Sequence, residues 1–470
     1  MGRMEWDKLL SDKRERPSKS KDEPFRNTFD KDYERVISSS SVRRLQDKAQ
    51  VYPLQENDFT RTRLTHSMEV SSLGRSIGYR IGHLLKEMGE FKGDQDKELA
   101  SLLAVAGLVH DLGNPPFGHY GEDILHEWFR ENRKLFDVDK NSATWINDYL
   151  YFDGNAQTVR ILSRLQFLHD GHGMNFCYGT LGTLLKYPWS SNDKMAESKK
   201  KMGYFNTEAS LIDDVISATG MKSADGKTFR HPATYLLEAA DDIAYLFADL
   251  EDTVKKGYIP WSRVCDDLVK AANDIPAFSE LSNVMNRCKQ VNADHSVPYG
   301  EWDDIEVMDF RVFCQGVCIE QVCNEFICNY ESIMSGEYTG SLMDCEALAL
   351  MVGEEGIVRK VCIEYAYRNN EVLSLELIGK SVLTSLLDKF MKAIINEEDY
   401  LKPRTESGKL YKLISRNFEY IQKFTEDREY SNDKVLNLHE RVQLVVDFIS
   451  CMTDSYALNM HKTLLGMRLP

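Results

Sequence analysis

From Leu99 to Leu112 the chain reads LASLLAVAGLVHDL, apolar on every face of a helix, and only a helix at the centre of a fold can bury such a segment. Gly113, Pro115 and Pro116 stop it. His110 and Asp111 therefore leave the core at a Gly/Pro-rich turn, where backbone and polar side chains can approach a ligand closely. That helix needs partners. Leu73, Ile77, Ile81, Leu84 and Met88 recur at threes and fours and predict a half-buried helix over 64–88. Helices are also expected over 235–254, 310–333, 371–395 and 436–466, whereas alternating strand patterns are short, with ATYLL (233–237) and the segment near Lys186 as the candidates. The first 35 residues, polar and charge-mixed with Pro17 and Pro24, read as an N-terminal arm. The segments 190–230 and 397–432 read as loops or lids. The expected fold class is mainly α, with a helical core over 36–260 and a helical C-terminal region over 261–470.

Composition narrows the function classes. The 470 residues carry 58 Lys and Arg against 74 Asp and Glu, a net charge of −16, which argues against a surface built to embrace nucleic acid. No apolar run reaches the ~18 residues of a spanning helix. The N-terminus MGRMEWDKLL has neither a secretory apolar region nor a myristoylation signal. Ten scattered cysteines then suggest reduced thiols in a cytoplasmic protein. Of these, Cys314, Cys318, Cys323 and Cys328 resemble a cluster, but on a helix Cys323 points away from the other three, so helix-core thiols are the expectation.

The densest chemistry lies in His110-Asp111-Leu112-Gly113-Asn114-Pro115-Pro116-Phe117-Gly118-His119-Tyr120-Gly121-Glu122. Imidazole and carboxylate ligands suit Zn, Mn, Fe or Mg. A second pair, His169-Asp170, carries little weight by itself. The bland alternative for His110 is a core histidine satisfied by a backbone carbonyl. His66 sits one heptad before Leu73, near the apolar face of its helix. Asp241, Tyr245 and Asp249 recur at i, i+4 and i+8, a polar stripe that a solvated helix face would equally explain. Taken together, His66, His110, Asp111 and Asp241 could offer four ligands from three helices. Lys199, Lys200 and Lys201 read as a solvated loop rather than a triphosphate clamp, and His126 and Glu127 as helix surface. No Gly-rich phosphate loop is present, so phosphate would fall to metal, Arg and Lys.

The blocks RRLQDKAQVYP (43–53), TRTRLTHSMEV (60–70), GLVHDLGNPPFGHYGE (107–122), FDGNAQTVRIL (152–162), YLLEAADDIAYLFADLED (235–252) and DFISCMTDSYAL (447–458) resemble, in order, the deoxyguanosinetriphosphate triphosphohydrolases of the HD superfamily. The resemblance implies a helical HD-domain fold and hydrolysis of dGTP at the α-phosphorus to deoxyguanosine and inorganic triphosphate, with a role in dNTP pool control. It implies a divalent metal, Mn²⁺ or Mg²⁺ first and Fe²⁺, Co²⁺ or Ni²⁺ as alternatives, held by His66, His110, Asp111 and Asp241. It makes His119 and Glu122 the catalytic dyad. Substrate contacts are implied for Gln50, Val51, Arg63, Asn114, Lys186, Tyr187, Tyr245 and Asp249, with Tyr245 and Asp249 at the deoxyribose and Arg63 at phosphate. It further implies a homo-oligomer, a hexamer among the forms, with single-stranded DNA as a candidate regulator and no membrane partner. The rivals are a broader dNTP hydrolase or another HD nucleotide phosphohydrolase and, outside enzymes, a nucleotide sensor or single-stranded-DNA-binding protein. A pure sensor would not need the dyad.

Overall fold

The computed structural model describes residues 3–18, 25–54, 57, 59–136, 142–166, 170–223, 226–294, 302–395, 399–425 and 428–469; His169 of the second His-Asp pair lies outside them. Helices dominate, and β structure among the described residues is confined to isolated bridges such as Ala49–Thr62. The apolar segment forms the core helix as expected, every residue from Leu99 to Val109 being buried. Around α3 (the core helix, Gln95–Val109) pack α1 (Thr28–Ile37), α2 (Arg63–Glu87) and α6 (Pro232–Lys255), while α4 (Gly118–Glu131) follows the Gly/Pro turn and α5 (Gly154–Arg160) comes after it in the chain. The C-terminal region adds α7 (Trp302–Cys328) against α6, α8 (Ile357–Cys362), α9 (Asn370–Ile395) against α4, and α10 (Leu438–Ser450) and α11 (Asp454–Leu464) against α9. None of the described helices is long and apolar enough to cross a membrane.

The α2–α3 contact is set by small residues. Gly74, Gly78 and Gly82 step down α2 at four-residue intervals and face α3. A Cβ at Gly78 would lie 2.6 Å from Ala100 Cα, and one at Gly107 of α3 would lie 2.8 Å from the Ser71 nitrogen. Ser71 Oγ closes the pair by donating to Ala104 O at 2.7 Å. The two backbones thus approach until His66 and His110 share one space, their ring centroids 5.4 Å apart. Gly78→Leu is expected to cost about 3 kcal/mol or more by overpacking, because the obstacle is backbone and cannot rotate away; chemical denaturation followed by circular dichroism measures it.

Several expectations are corrected. ATYLL is the first turn of α6, which starts where His231 caps the Ala233 amide and Pro232 occupies N1. The segment near Lys186 is irregular. The helix expected over 310–333 ends at Cys328, where Asn329 turns its amide back onto Glu325, and a short helix resumes at Tyr330–Met334. The helix expected over 436–466 is two, because Thr453 caps Tyr456 N and starts α11 anew. The presumed loops contain helices, notably Ala209–Thr219 with four large aliphatic side chains buried. Nor is the N-terminal segment a free arm. Trp6 and Leu9 are buried, Trp6 Nε1 donates to Tyr330 Oη at 2.9 Å, and Arg14 pairs with the fully buried Asp32 at 2.5 Å. Cys314, Cys318 and Cys323 lie in the core, and it is Cys328 rather than Cys323 that faces solvent.

Candidate active site

Three helices deliver four side chains to one point. His66 lies in the first turns of α2, His110 and Asp111 follow the last turn of α3, and Asp241 stands midway along α6, where Ala239, Ala240 and Ala244 keep the helix close to its neighbours. Asp241 Oδ1 lies 2.9 Å from His66 Nε2 and 3.4 Å from His110 Nε2; Asp111 Oδ1 lies 3.6 Å from His110 Nε2. His66, His110 and Asp111 are also the one group of His, Cys, Asp or Glu side chains, among the described residues, with metal-ligand spacing.

The fit of this cluster to a cation can be judged from hydrogen bonding. His110 Nδ1 donates to Gly107 O at 2.8 Å, which fixes the tautomer and turns the Nε2 lone pair towards two carboxylates. That nitrogen is buried and has no hydrogen-bond partner among the described residues. Two imidazoles and two carboxylates thus converge on one point, a donor set of two nitrogens and two oxygens that suits a divalent cation in place of the protons they share. Electrostatics agree. Burial would lower the His110 pKa, yet Asp111 and Asp241 lift it to about 9. Burial would raise Asp111, but Arg63, His110 and His66 hold it at about 2, and Asp241 is held well below the carboxylate range against burial by His110 and His66.

Asp111 is braced from both sides. Arg63 Nη1 donates to its Oδ2 at 2.6 Å and Asn114 Nδ2 to its Oδ1 at 2.5 Å. Asn114 therefore stands behind the ligand, off the cavity wall. The turn itself is tight. A Cβ at Gly113 would lie 2.1 Å from Gly154 O, and Phe117 takes a left-handed φ of 63° before Gly118.

Beside the cluster opens a cavity of about 420 Å³ lined by Gln50, Val51, Arg63, Asp111, His119, Lys186, Asp241 and Tyr245 among the expected residues. His119 projects into it with its side chain 82% exposed, while Glu122 behind it is buried. His119 Nδ1 lies 3.4 Å from Glu122 Oε2, and the Gly154 amide donates to Glu122 Oε1 at 2.8 Å. The hydrogen bond to Glu122 raises the His119 pKa above its ordinary value; Glu122, against its burial, is driven far down by His119, Lys201 and the Gly154 amide. Lys201 is not a solvated loop lysine, since its Nζ lies 3.2 Å from Glu122 Oε2 and 3.0 Å from Asp153 Oδ2.

Tyr187 and Asp249 lie off the wall. Tyr187 packs on Trp189 with its carbonyl pressed against Gly203. Asp249 is buried and accepts from Tyr367 Oη at 2.6 Å; burial holds its carboxyl well above the usual range. Tyr367 in turn stacks on Tyr245, ring centroids 6.1 Å apart and 15° from parallel. Tyr367, Arg359 and Glu376 complete the wall from the C-terminal region. Sequence reasoning missed all three because no quoted motif covers 349–376. Lys186 also lines the cavity and keeps its proton because Glu238, 3.4 Å away, together with Tyr187, Asp241 and Asp242, outweighs burial. Three cations (Arg63, Lys186 and Arg359) thus face a space with carboxylates at one end.

Known proteins resemble this chain in sequence along nearly its whole length. The HD domain family model matches residues 63–172, which hold three of the four clustered side chains and the dyad, and the phosphohydrolase-associated domain matches 349–463. The chain is 38% identical over 485 residues to the deoxyguanosinetriphosphate triphosphohydrolase-like protein of Listeria monocytogenes, covering 99% of this chain and 100% of that one. The deoxyguanosinetriphosphate triphosphohydrolase-like protein of Synechocystis is 30% identical with the same coverage. The deoxyguanosinetriphosphate triphosphohydrolase of Yersinia pseudotuberculosis is 28% identical, over 96% of each chain.

Proposed function

We propose, from the premise that the chain belongs to the deoxyguanosinetriphosphate triphosphohydrolase-like family of HD-domain proteins, that it hydrolyses dGTP to deoxyguanosine and inorganic triphosphate and so draws down the dGTP pool. The observation that carries this reading is one cavity holding both Asp111 and Asp241 of the ligand cluster and the Glu122-backed His119. Its volume is that of a small-molecule site.

His66, His110, Asp111 and Asp241 would hold the metal, Mn²⁺ or Mg²⁺, which when bound polarises a phosphoryl oxygen and orients the attacking water. The chain's own groups do the rest. Arg63, Lys186 and Arg359 neutralise the triphosphate. Water adds at the α-phosphorus and loses one proton to solvent, the bond from that phosphorus to the 5′-oxygen breaks, and His119 gives its proton to the departing oxygen and is reprotonated from solvent. Glu122 keeps the ring oriented and stabilises its cationic form before transfer. The stacked Tyr245 and Tyr367, with Gln50 and Val51 across the cavity, form the wall for the deoxyribose.

The base preference is tested by turnover of all four dNTPs and the matching ribonucleotides with Mn²⁺ and with Mg²⁺. The expected result is kcat/KM highest for dGTP and lowest for ribonucleotides. Equal turnover of the four dNTPs would replace dGTP by a broad dNTP substrate class.

A further inference from the structure

The residue that ties the two walls of this cavity together lies more than 330 positions beyond either of them in sequence. Asp454 opens α11 and is 2% exposed. Its Oδ1 accepts the Phe117 amide at 2.9 Å and its Oδ2 accepts the Ala49 amide at 2.9 Å. Phe117 holds a left-handed φ of 63° two residues before His119, a conformation that a non-glycine residue keeps only when its surroundings impose it. Ala49 precedes Gln50 and Val51, which line the same cavity as His119. A buried lysine repeats the connection, because Lys48 Nζ donates both to Asn114 O and, at 3.0 Å, to Ser450 O at the end of α10. The α10–α11 junction thus grips both active-site segments through their backbones. Neither carboxylate oxygen is directed at the cavity, and Asp454 is absent from its lining.

We propose that Asp454 is a positioning residue, which fixes the dyad loop and the Gln50–Val51 wall relative to each other through the Phe117 and Ala49 amides. Its effect on turnover passes through His119, and its effect on substrate affinity through Gln50 and Val51. The turnover part rests on the hydrolysis proposed above; the backbone part does not.

Asp454→Asn is the informative variant. It is nearly isosteric, yet one of its two contacts becomes an amide NH₂ facing an N–H. Charge-assisted bonds of this kind set an expected loss of about 10- to 100-fold in kcat in the otherwise native protein. In a His119→Ala background the same change is expected to alter kcat by less than about threefold while still raising KM, since coupled groups are non-additive. Multiplicative losses in the two backgrounds, or an unchanged kcat, would overturn the positioning role. Hydrogen–deuterium exchange needs no activity. In D454N, peptides spanning 45–54 and 114–125 are expected to lose protection together while 99–109 keeps it; loss across all three, or in neither of the first two, contradicts the clamp. A wild-type protein that turns over no nucleotide would defeat the hydrolysis reading and leave the exchange experiment to decide the clamp.

Discussion

His110→Ala is expected to abolish stoichiometric binding of Mn²⁺ and to lower dGTP hydrolysis by about 10³-fold or more, the scale on which phosphoryl transfer depends on charge neutralisation at the reacting centre. The reasoning begins with one hydrogen bond. Because Nδ1 donates to Gly107 O, Nε2 is the nitrogen that faces Asp111 and Asp241 and can serve a cation once it gives up its proton. Alanine removes that donor and leaves the two carboxylates less opposed by positive charge. Calorimetric titration with Mn²⁺ and metal analysis of the purified protein read the binding directly. Because the buried His110 ring packs against His66 across the α2–α3 contact, circular dichroism and thermal melting of the variant accompany the metal measurement to show that it remains folded. Retention of full metal content by the variant would remove His110 from the ligand set.

His119→Ala should behave in the opposite sense for metal. His119 touches none of the clustered side chains, so Mn²⁺ affinity is expected to stay within about threefold while kcat falls by about 10²- to 10⁴-fold, the range of a lost general acid. Its pH dependence has a definite sign. Glu122 raises the His119 pKa, so the acid form persists to higher pH than in a free imidazole, and activity declines as pH rises through that raised value. Glu122→Gln withdraws the carboxylate charge, so the basic limb should move to lower pH. A limb that stays in place, or moves up, would assign the titration to another group. The assay is the pH profile of kcat with metal saturated at each point.

How far these features were legible in the residues depends on the distance over which each is specified. The core helix follows from LASLLAVAGLVHDL because its environment is uniform on every face, and its end follows from Gly113, Pro115 and Pro116. The candidate ligands were legible because imidazoles and carboxylates beside apolar helix faces demand partners. By contrast, the role of Lys201 depends on a loop folding back onto Glu122 from 79 residues away, and a run of three lysines has no periodicity that would separate the half-buried, paired member from its exposed neighbours. The blocks that hold Asn114 and Asp249 were legible, but the side chains these two residues bond were not. Asn114 donates to Asp111, and Asp249 receives the Tyr367 hydroxyl. Chain order conveys which side chains gather, but packing decides which of them reaches the cavity. The break between α10 and α11 belongs to the same class, because Thr453 reads as an ordinary helix residue until its hydroxyl caps the next turn.

The central claim is attack at the α-phosphorus with release of the intact triphosphate, and hydrolysis of dGTP in H₂¹⁸O with Mn²⁺ tests it most directly. Separation of products by ion-exchange chromatography followed by mass spectrometry reports both the bond broken and the position of the new oxygen. The account predicts unlabelled deoxyguanosine and inorganic triphosphate carrying one ¹⁸O. Formation of dGDP with labelled phosphate, or of labelled deoxyguanosine with unlabelled triphosphate, would contradict it.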